Sequence, residues 1–130
     1  MPNLEILTPE QGPLAIGPYS RMIKVGSMIW GSALAGVDPQ TGQLVGPTVH
    51  LQTLAIIGLM KSMLESAGSD LDHVVSVTVF LKNMTDYEEL NSAYIEGFGS
   101  HQPTRTVVSV TDVPKLYALL TMNFVAVTRE

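Results

Sequence analysis

The residue of this 130-residue chain best suited to chemistry is Arg105. The chain holds three Arg in all, and this one opens a run that otherwise reads Thr106-Val107-Val108-Ser109-Val110, directly after Pro103-Thr104. A guanidinium at the edge of an apolar strand binds a carboxylate or a phosphate, because it offers planar bidentate donors. The alternative is a structural salt bridge to an acidic partner such as Asp112. Other chemistries are poorly supplied. His50, His73 and His101 are scattered, with no HxH, HxxxH or HExxH spacing, so no metal site is expected. The absence of Cys removes disulfide scaffolds, Cys-ligated zinc, Fe–S clusters and thiol nucleophiles. No Ser sits in a GxSxG elbow, and no P-loop or GxGxxG stands between a strand and a helix. The pair Glu88-Glu89 falls on a helix and reads as a solvated face rather than as paired catalytic carboxylates.

Charge narrows the partners. Seven Lys+Arg against twelve Asp+Glu give −5, with a pI near 5.0. Such a chain has no basic stripe with which to neutralise phosphates, so nucleic acid is not an expected partner. No apolar run reaches the roughly 18 residues of a membrane span, and MPNLEILTPEQ has neither a basic nor an apolar segment of the secretory kind. The expectation is a cytoplasmic protein with one domain over residues 1–130. Charged residues make up only 15%, against roughly 25% in typical soluble domains, and mean hydropathy is +0.25. A small domain has much surface to cover. A charge-poor one is therefore expected to hide part of it against copies of itself.

The elements that must position Arg105 can be read from periodicity. Gly12-Pro13 to Gly17-Pro18 is a loop set by its prolines. Residues 21–25 and 28–32 form a hairpin over Gly26-Ser27, which suits a type II′ turn. Asp38–Gly42 is a turn. Residues 49–67 recur at helical spacing, between Thr48 as N-cap and Gly68 as the residue just past the end. That helix is apolar around most of its girth, so it packs on more than one side. Residues 74–81 (VVSVTVFL) read as a central strand covered on both faces. A capping box, Thr85 to Glu88, starts a second helix whose core face is Tyr87, Leu90, Tyr94 and Phe98. Gln102-Pro103 ends it, and strands follow at 105–110 and 117–128. The order ββ, α, β, α, ββ predicts an α+β fold: a mixed sheet with two helices on one face. Its other face would be covered by oligomerisation.

Taken together, several motifs resemble the RidA/YjgF family, also known as endoribonuclease L-PSP-like. They are Ala15-Ile16-Gly17-Pro18-Tyr19-Ser20, Gln52-Thr53, Ala67-Gly68, Val77–Leu81, Met84-Thr85-Asp86-Tyr87, Asn91, Tyr94, Pro103–Val108 and Val113-Pro114. They run in order over nearly the whole chain. The resemblance implies a chorismate mutase-like fold, a homotrimer, and ligand clefts between adjacent subunits. It implies hydrolysis of reactive 2-imino or enamine acids to 2-keto acids and ammonia, with no cofactor. By the same resemblance, Arg105 holds the substrate carboxylate and Tyr19 lines the cleft. Ser32 and Asn91 lie near it, and Val107 offers backbone groups to the ligand.

Two departures bear on the reaction. The family's Ser-Gly-Gln is Ser32-Ala33-Leu34 here. Its last strand carries Glu-x-Glu, the first Glu positioning the attacking water. Allowing one extra residue after Pro114, Thr121 and Asn123 take those places. Period two puts Leu119, Thr121, Asn123, Val125 and Val127 on the face that reaches the cleft, and Leu120, Met122, Phe124 and Ala126 against the helices. A Thr hydroxyl can hydrogen-bond a water but cannot take a proton as a carboxylate does. Capture of a small carboxylate without turnover, in a regulatory or scavenging role, is therefore the competing expectation. A third reading, a ribonuclease, fits poorly with a charge of −5.

Overall fold

A computed structural model describes residues 3–9 and 15–130; the expected loop at Gly12-Pro13 lies outside them. Six strands form one sheet: β1 (Leu4–Leu7), β2 (Met22–Val25), β3 (Met28–Leu34), β4 (Val74–Leu81), β5 (Thr104–Ser109) and β6 (Leu120–Val127). Two helices, α1 (Val49–Ser66) and α2 (Tyr87–Phe98), join them. The spatial order is β1-β2-β3-β6-β4-β5. Every neighbouring pair is antiparallel except β4 and β5, which are parallel. A parallel pair cannot be closed by a tight turn, and α2 supplies the crossover it needs.

The expected ends of α1 are present. Thr48 Oγ1 accepts the Leu51 N–H at 3.1 Å. Gly68 takes φ +80°, and the Ser69 N–H returns to Leu64 O at 2.9 Å, which closes the last turn as glycine-terminated helices do. One partner was not expected. The Glu89 carboxylate of α2 accepts the His50 N–H at 2.9 Å, placing negative charge at the positive end of α1. Glu88 and Glu89 are both exposed, as expected of a solvated face, and Glu89 in addition fastens α2 to the start of α1.

Both helices lie on one face of the sheet. α1 packs against α2 as well as against β6 and β3, which is why its apolar girth is so wide. Ile56, Met60, Met63 and Leu64 of α1 are buried against Ile29, Val79, Met122 and Phe124 of the sheet in one core. Gly31 is required there: a Cβ on it would lie 2.2 Å from the Phe124 ring. Gly26 takes φ +61° while Ser27 stays at negative φ, the pattern of the expected type II′ turn.

Several local expectations are corrected. β1 was not foreseen; it is a four-residue strand whose pairing with β2 (Leu4↔Val25, Ile6↔Ile23) is purely tertiary. The Thr85–Glu88 capping box does not form, because a 3-10 turn over Met84–Asp86 leads into α2 and moves its start to Tyr87, with Asp86 as N-cap making no side-chain bond. The last strand begins at Leu120 rather than 117, since Tyr117 adopts φ +68°. β4 is central in the sheet, between β6 and β5, yet in this chain only one of its faces is covered. Val75 is exposed, and Ser76, Thr78 and Phe80 are half-buried.

Candidate active site

Arg105 projects from β5 opposite Val77 of β4, on the face that carries the helices. Two tyrosines of α2 hold it. Its guanidinium carbon lies 4.9 Å from the centre of the Tyr94 ring and 5.6 Å from that of Tyr87, both within cation–π range. Its Nη2 donates to the Tyr87 hydroxyl at 3.1 Å. The salt bridge to Asp112 is not made. Asp112 pairs instead with Lys82 at 3.3 Å, and its carboxyl lies below the ordinary range, chiefly because it accepts the Val113 N–H. No carboxylate of the described residues is within ion-pair distance of Arg105. Tyr87, expected in the core, is 39% exposed because it faces the guanidinium and not the sheet.

A hollow of about 380 Å³ opens beside Arg105 and is also lined by Asn91, Tyr94, His101 and Pro103. Two of its polar atoms, Asn91 Oδ1 and the Tyr94 hydroxyl, are buried without a hydrogen-bond partner. Burial pushes the Tyr94 hydroxyl up to about 12, against the opposing pull of the Arg105 charge. At neutral pH it is therefore a phenol with an unused donor. Buried polar groups are usually paired; these two are unpaired and closed to solvent, beside the half-buried Arg105. Val107 is half-buried on β5. That strand is an edge of the sheet, where backbone N–H and C=O groups are left unpaired.

Tyr19, Ser32 and Thr121 meet elsewhere, around a second cavity of about 610 Å³ that Arg21 and Lys115 also line. The Ser32 hydroxyl donates to Ser20 O at 2.7 Å and the Ser32 N–H to Arg21 O at 3.0 Å, tying the Tyr19 loop to β3. The Tyr19 hydroxyl accepts the Ile16 N–H at 3.3 Å. Pairing of β3 with β6 slips between Gly31 and Leu34, the stretch where Ser32-Ala33-Leu34 departs from the family pattern. Thr121 sits opposite Phe80 and is only 6% exposed. The alternation within β6 is as expected: Leu120, Met122, Phe124 and Ala126 are in the core, while Thr121, Asn123, Val125 and Val127 take the other face; Leu119, expected with the second set, precedes the strand and packs against the core instead.

The expected site residues are therefore not brought together by one chain. Arg105 is on the helix side of the sheet, and Thr121 is on the open side, with β4 between their strands. Sequence reasoning overlooked Arg21 and Lys115, whose only local signal was positive charge near a proline loop. The histidines hold local structure. His101 Nε2 is 2.8 Å from Val74 O, His73 Nδ1 is 2.6 Å from Asp70 Oδ1, and His50 Nε2 is 3.5 Å from Glu96. No group of three or more potential metal ligands occurs among the described residues.

Known proteins match both the sequence and the shape. The family model described as endoribonuclease L-PSP matches residues 9–128. A RutC family protein of Pyrococcus abyssi is 41% identical over 111 residues, covering 85% of this chain and 87% of its own. The human 2-iminobutanoate/2-iminopropanoate deaminase is 34% identical over 110 residues, 85% of this chain and 80% of its own. The crystal structure of TdcF from E. coli with bound serine has a TM-score of 0.88 at 31% identity, covering 95% of this chain and 98% of that one. A match to the family model over nearly the whole chain, together with a relative 41% identical over 85% of the chain and a TM-score of 0.88 to a solved structure, leads to one conclusion: the chain belongs to the RidA/YjgF family, the family of the endoribonuclease L-PSP model.

Proposed function

We propose that this protein is a homotrimeric deaminase of reactive 2-imino and enamine acids, working in clefts between subunits. The observation that carries this is the division of the site. A tyrosine-held guanidinium without a carboxylate stands on one face of the sheet, and Tyr19, Ser32 and Thr121 gather on the other. A cleft containing both sets needs two copies of the chain. The open face supports such assembly: Leu4, Ile6 and Trp30 are 63%, 58% and 45% exposed in one chain and lie on neighbouring strands, and clustered exposed apolar side chains mark interaction surfaces. The named activity of the human relative and the serine bound to the E. coli relative support a small carboxylate-bearing ligand.

The chemistry asks little of the protein. An iminium carbon is already electrophilic; water adds to it, the proton moves to nitrogen, and ammonium leaves a 2-keto acid. Fixing the carboxylate on Arg105 orients that carbon, a positional gain rather than an acid–base one. Asn91 and Tyr94 line the same hollow, with their unpaired oxygens closed to solvent in one chain. No cofactor enters this scheme. The absence of Cys suits a reducing compartment such as the cytoplasm, and no helix of the described residues is long and apolar enough to cross a membrane.

A second reading has its own observation: no Asp or Glu of the described residues lines either hollow, so no carboxylate is at hand to activate water. On that reading the trimer binds small carboxylates without turnover. Generating 2-iminobutanoate in situ and comparing keto-acid release with and without the protein separates the two. Acceleration supports the deaminase, and binding of 2-oxobutanoate without acceleration supports the binder. Sedimentation should give a species of about three times the 14.0 kDa chain. A stable monomer would sink the interfacial cleft.

A further inference from the structure

The part of the larger cavity that one chain supplies is roomy for a four-carbon acid. At about 610 Å³ it is within the range that takes drug-sized ligands. Hydrocarbon dominates its walls: Ile16, Ala33, Leu34, Ala35, Val37 and Pro114 all line it. Leu34 and Val37 also belong to the hydrophobic core, so that wall is braced from behind. The Ser32 hydroxyl hydrogen is already committed to Ser20 O, which lowers the wall's call for a polar ligand. Thr121 contributes a methyl group as well as a hydroxyl.

Charge adds a second constraint. In a chain of net charge −5, this cavity is lined by Arg21 and Lys115 and by no acidic side chain of the described residues. A cationic substrate side chain would meet the like charge of Lys115, Arg21 having a partner of its own. An anionic one would be attracted to Lys115 but would have to shed its water among hydrocarbon walls. A small side chain would leave the cavity filled with water and gain little from burial.

We infer that the cavity lined by Ile16, Ala33, Leu34, Ala35, Val37 and Pro114 receives the side chain of the substrate, and selects 2-imino acids with bulky apolar side chains, branched aliphatic or aromatic. This rests on the deaminase reading above for the reaction, but its basis is the cavity alone. A methylene in a hydrophobic pocket discriminates roughly 10- to 200-fold, so a side chain two carbons longer should be preferred by about tenfold or more.

The test uses imino acids made in situ by amino-acid oxidases from 2-aminobutyrate, leucine, phenylalanine, glutamate and arginine, with imine loss followed by semicarbazide trapping. The expected result is kcat/KM about tenfold or more higher for the leucine- and phenylalanine-derived imines than for 2-iminobutanoate, with the arginine-derived imine lowest. A preference for 2-iminobutanoate or for the glutamate-derived imine overturns the inference and leaves the deaminase standing. Ala33→Phe, which fills the cavity, should lower the leucine-to-aminobutyrate ratio at least tenfold; an unchanged ratio in a folded protein also overturns it. If no imine is accelerated, the deaminase reading fails, and calorimetry with 4-methyl-2-oxopentanoate, phenylpyruvate and 2-oxobutanoate decides the cavity separately. Tighter binding of the two larger keto acids supports the inference, and equal or weaker binding overturns it.

Discussion

Arg105→Lys keeps the positive charge at the carboxylate anchor and removes only its shape. In the structure the guanidinium is set by two ring faces, at 4.9 and 5.6 Å, and by a 3.1 Å bond from Nη2 to the Tyr87 hydroxyl. One edge of the fork is thereby occupied, and its remaining N–H groups are directed away from Tyr87. An ammonium cannot satisfy the tyrosine and still present two parallel donors, because its hydrogens are arranged tetrahedrally about a single nitrogen. Losing a charge-assisted bidentate contact costs roughly 1.5–3 kcal/mol, which at about 1.4 kcal/mol per decade is about a 10- to 100-fold weaker carboxylate affinity. Titration calorimetry of 2-oxobutanoate and benzoate on the wild type and on Arg105→Lys measures this directly. Tyr87→Phe is the control: it removes one hydrogen bond from a partly exposed hydroxyl and should weaken binding by no more than about tenfold. If Arg105→Lys binds both acids within twofold of wild type, bidentate geometry is not what this site uses. If Arg105→Ala also binds them normally, Arg105 is not the anchor.

Three further outcomes follow from the structure. Thr121→Glu places a carboxylate in the larger cavity and should raise kcat on 2-iminobutanoate about 10²- to 10⁴-fold if general-base assistance is what the native residue lacks; an unchanged rate in a folded trimer refutes that role. Gln52→Leu should destabilise by roughly 2–6 kcal/mol, since the buried amide donates to Gly46 O at 2.9 Å and accepts the Leu119 N–H at 2.8 Å, and each group left unmet costs about 1–3 kcal/mol; urea unfolding at fixed protein concentration measures it, and a loss under 1 kcal/mol would contradict the assignment. Asp70 is held below its ordinary carboxylate range, first by its hydrogen bond to His73. A depressed carboxyl contributes stability that is present above its unfolded value of 3.8 and is lost as pH falls through the folded one. The urea midpoints of wild type and Asp70→Asn should therefore differ at pH 6 and converge as pH drops below about 4; a constant gap would show that the pair does not act through titration.

Local chemistry was legible in the sequence wherever one segment decides its own conformation. The limits of α1 follow from Thr48 and Gly68, whose capping bonds involve only neighbours in the chain. The two faces of β6 follow from strict alternation, because a strand turns successive side chains to opposite sides whatever it pairs with. The place of Arg105 on a strand of otherwise uncharged residues follows from the run Thr104–Ser109. Contacts between distant segments were not legible. The choice of Lys82 rather than Arg105 for Asp112, the stacking of Tyr87 on Arg105 instead of on the core, and the addition of β1 to the sheet all depend on how segments pack. The largest such decision is the division of the site. Inserting β6 between β3 and β4, and leaving β5 at the edge, sets Arg105 and Thr121 on opposite faces of one sheet. A side chain cannot reach through a hydrogen-bonded sheet, so tertiary pairing alone keeps these two residues apart within one chain, although nothing in the local sequence around either one records it.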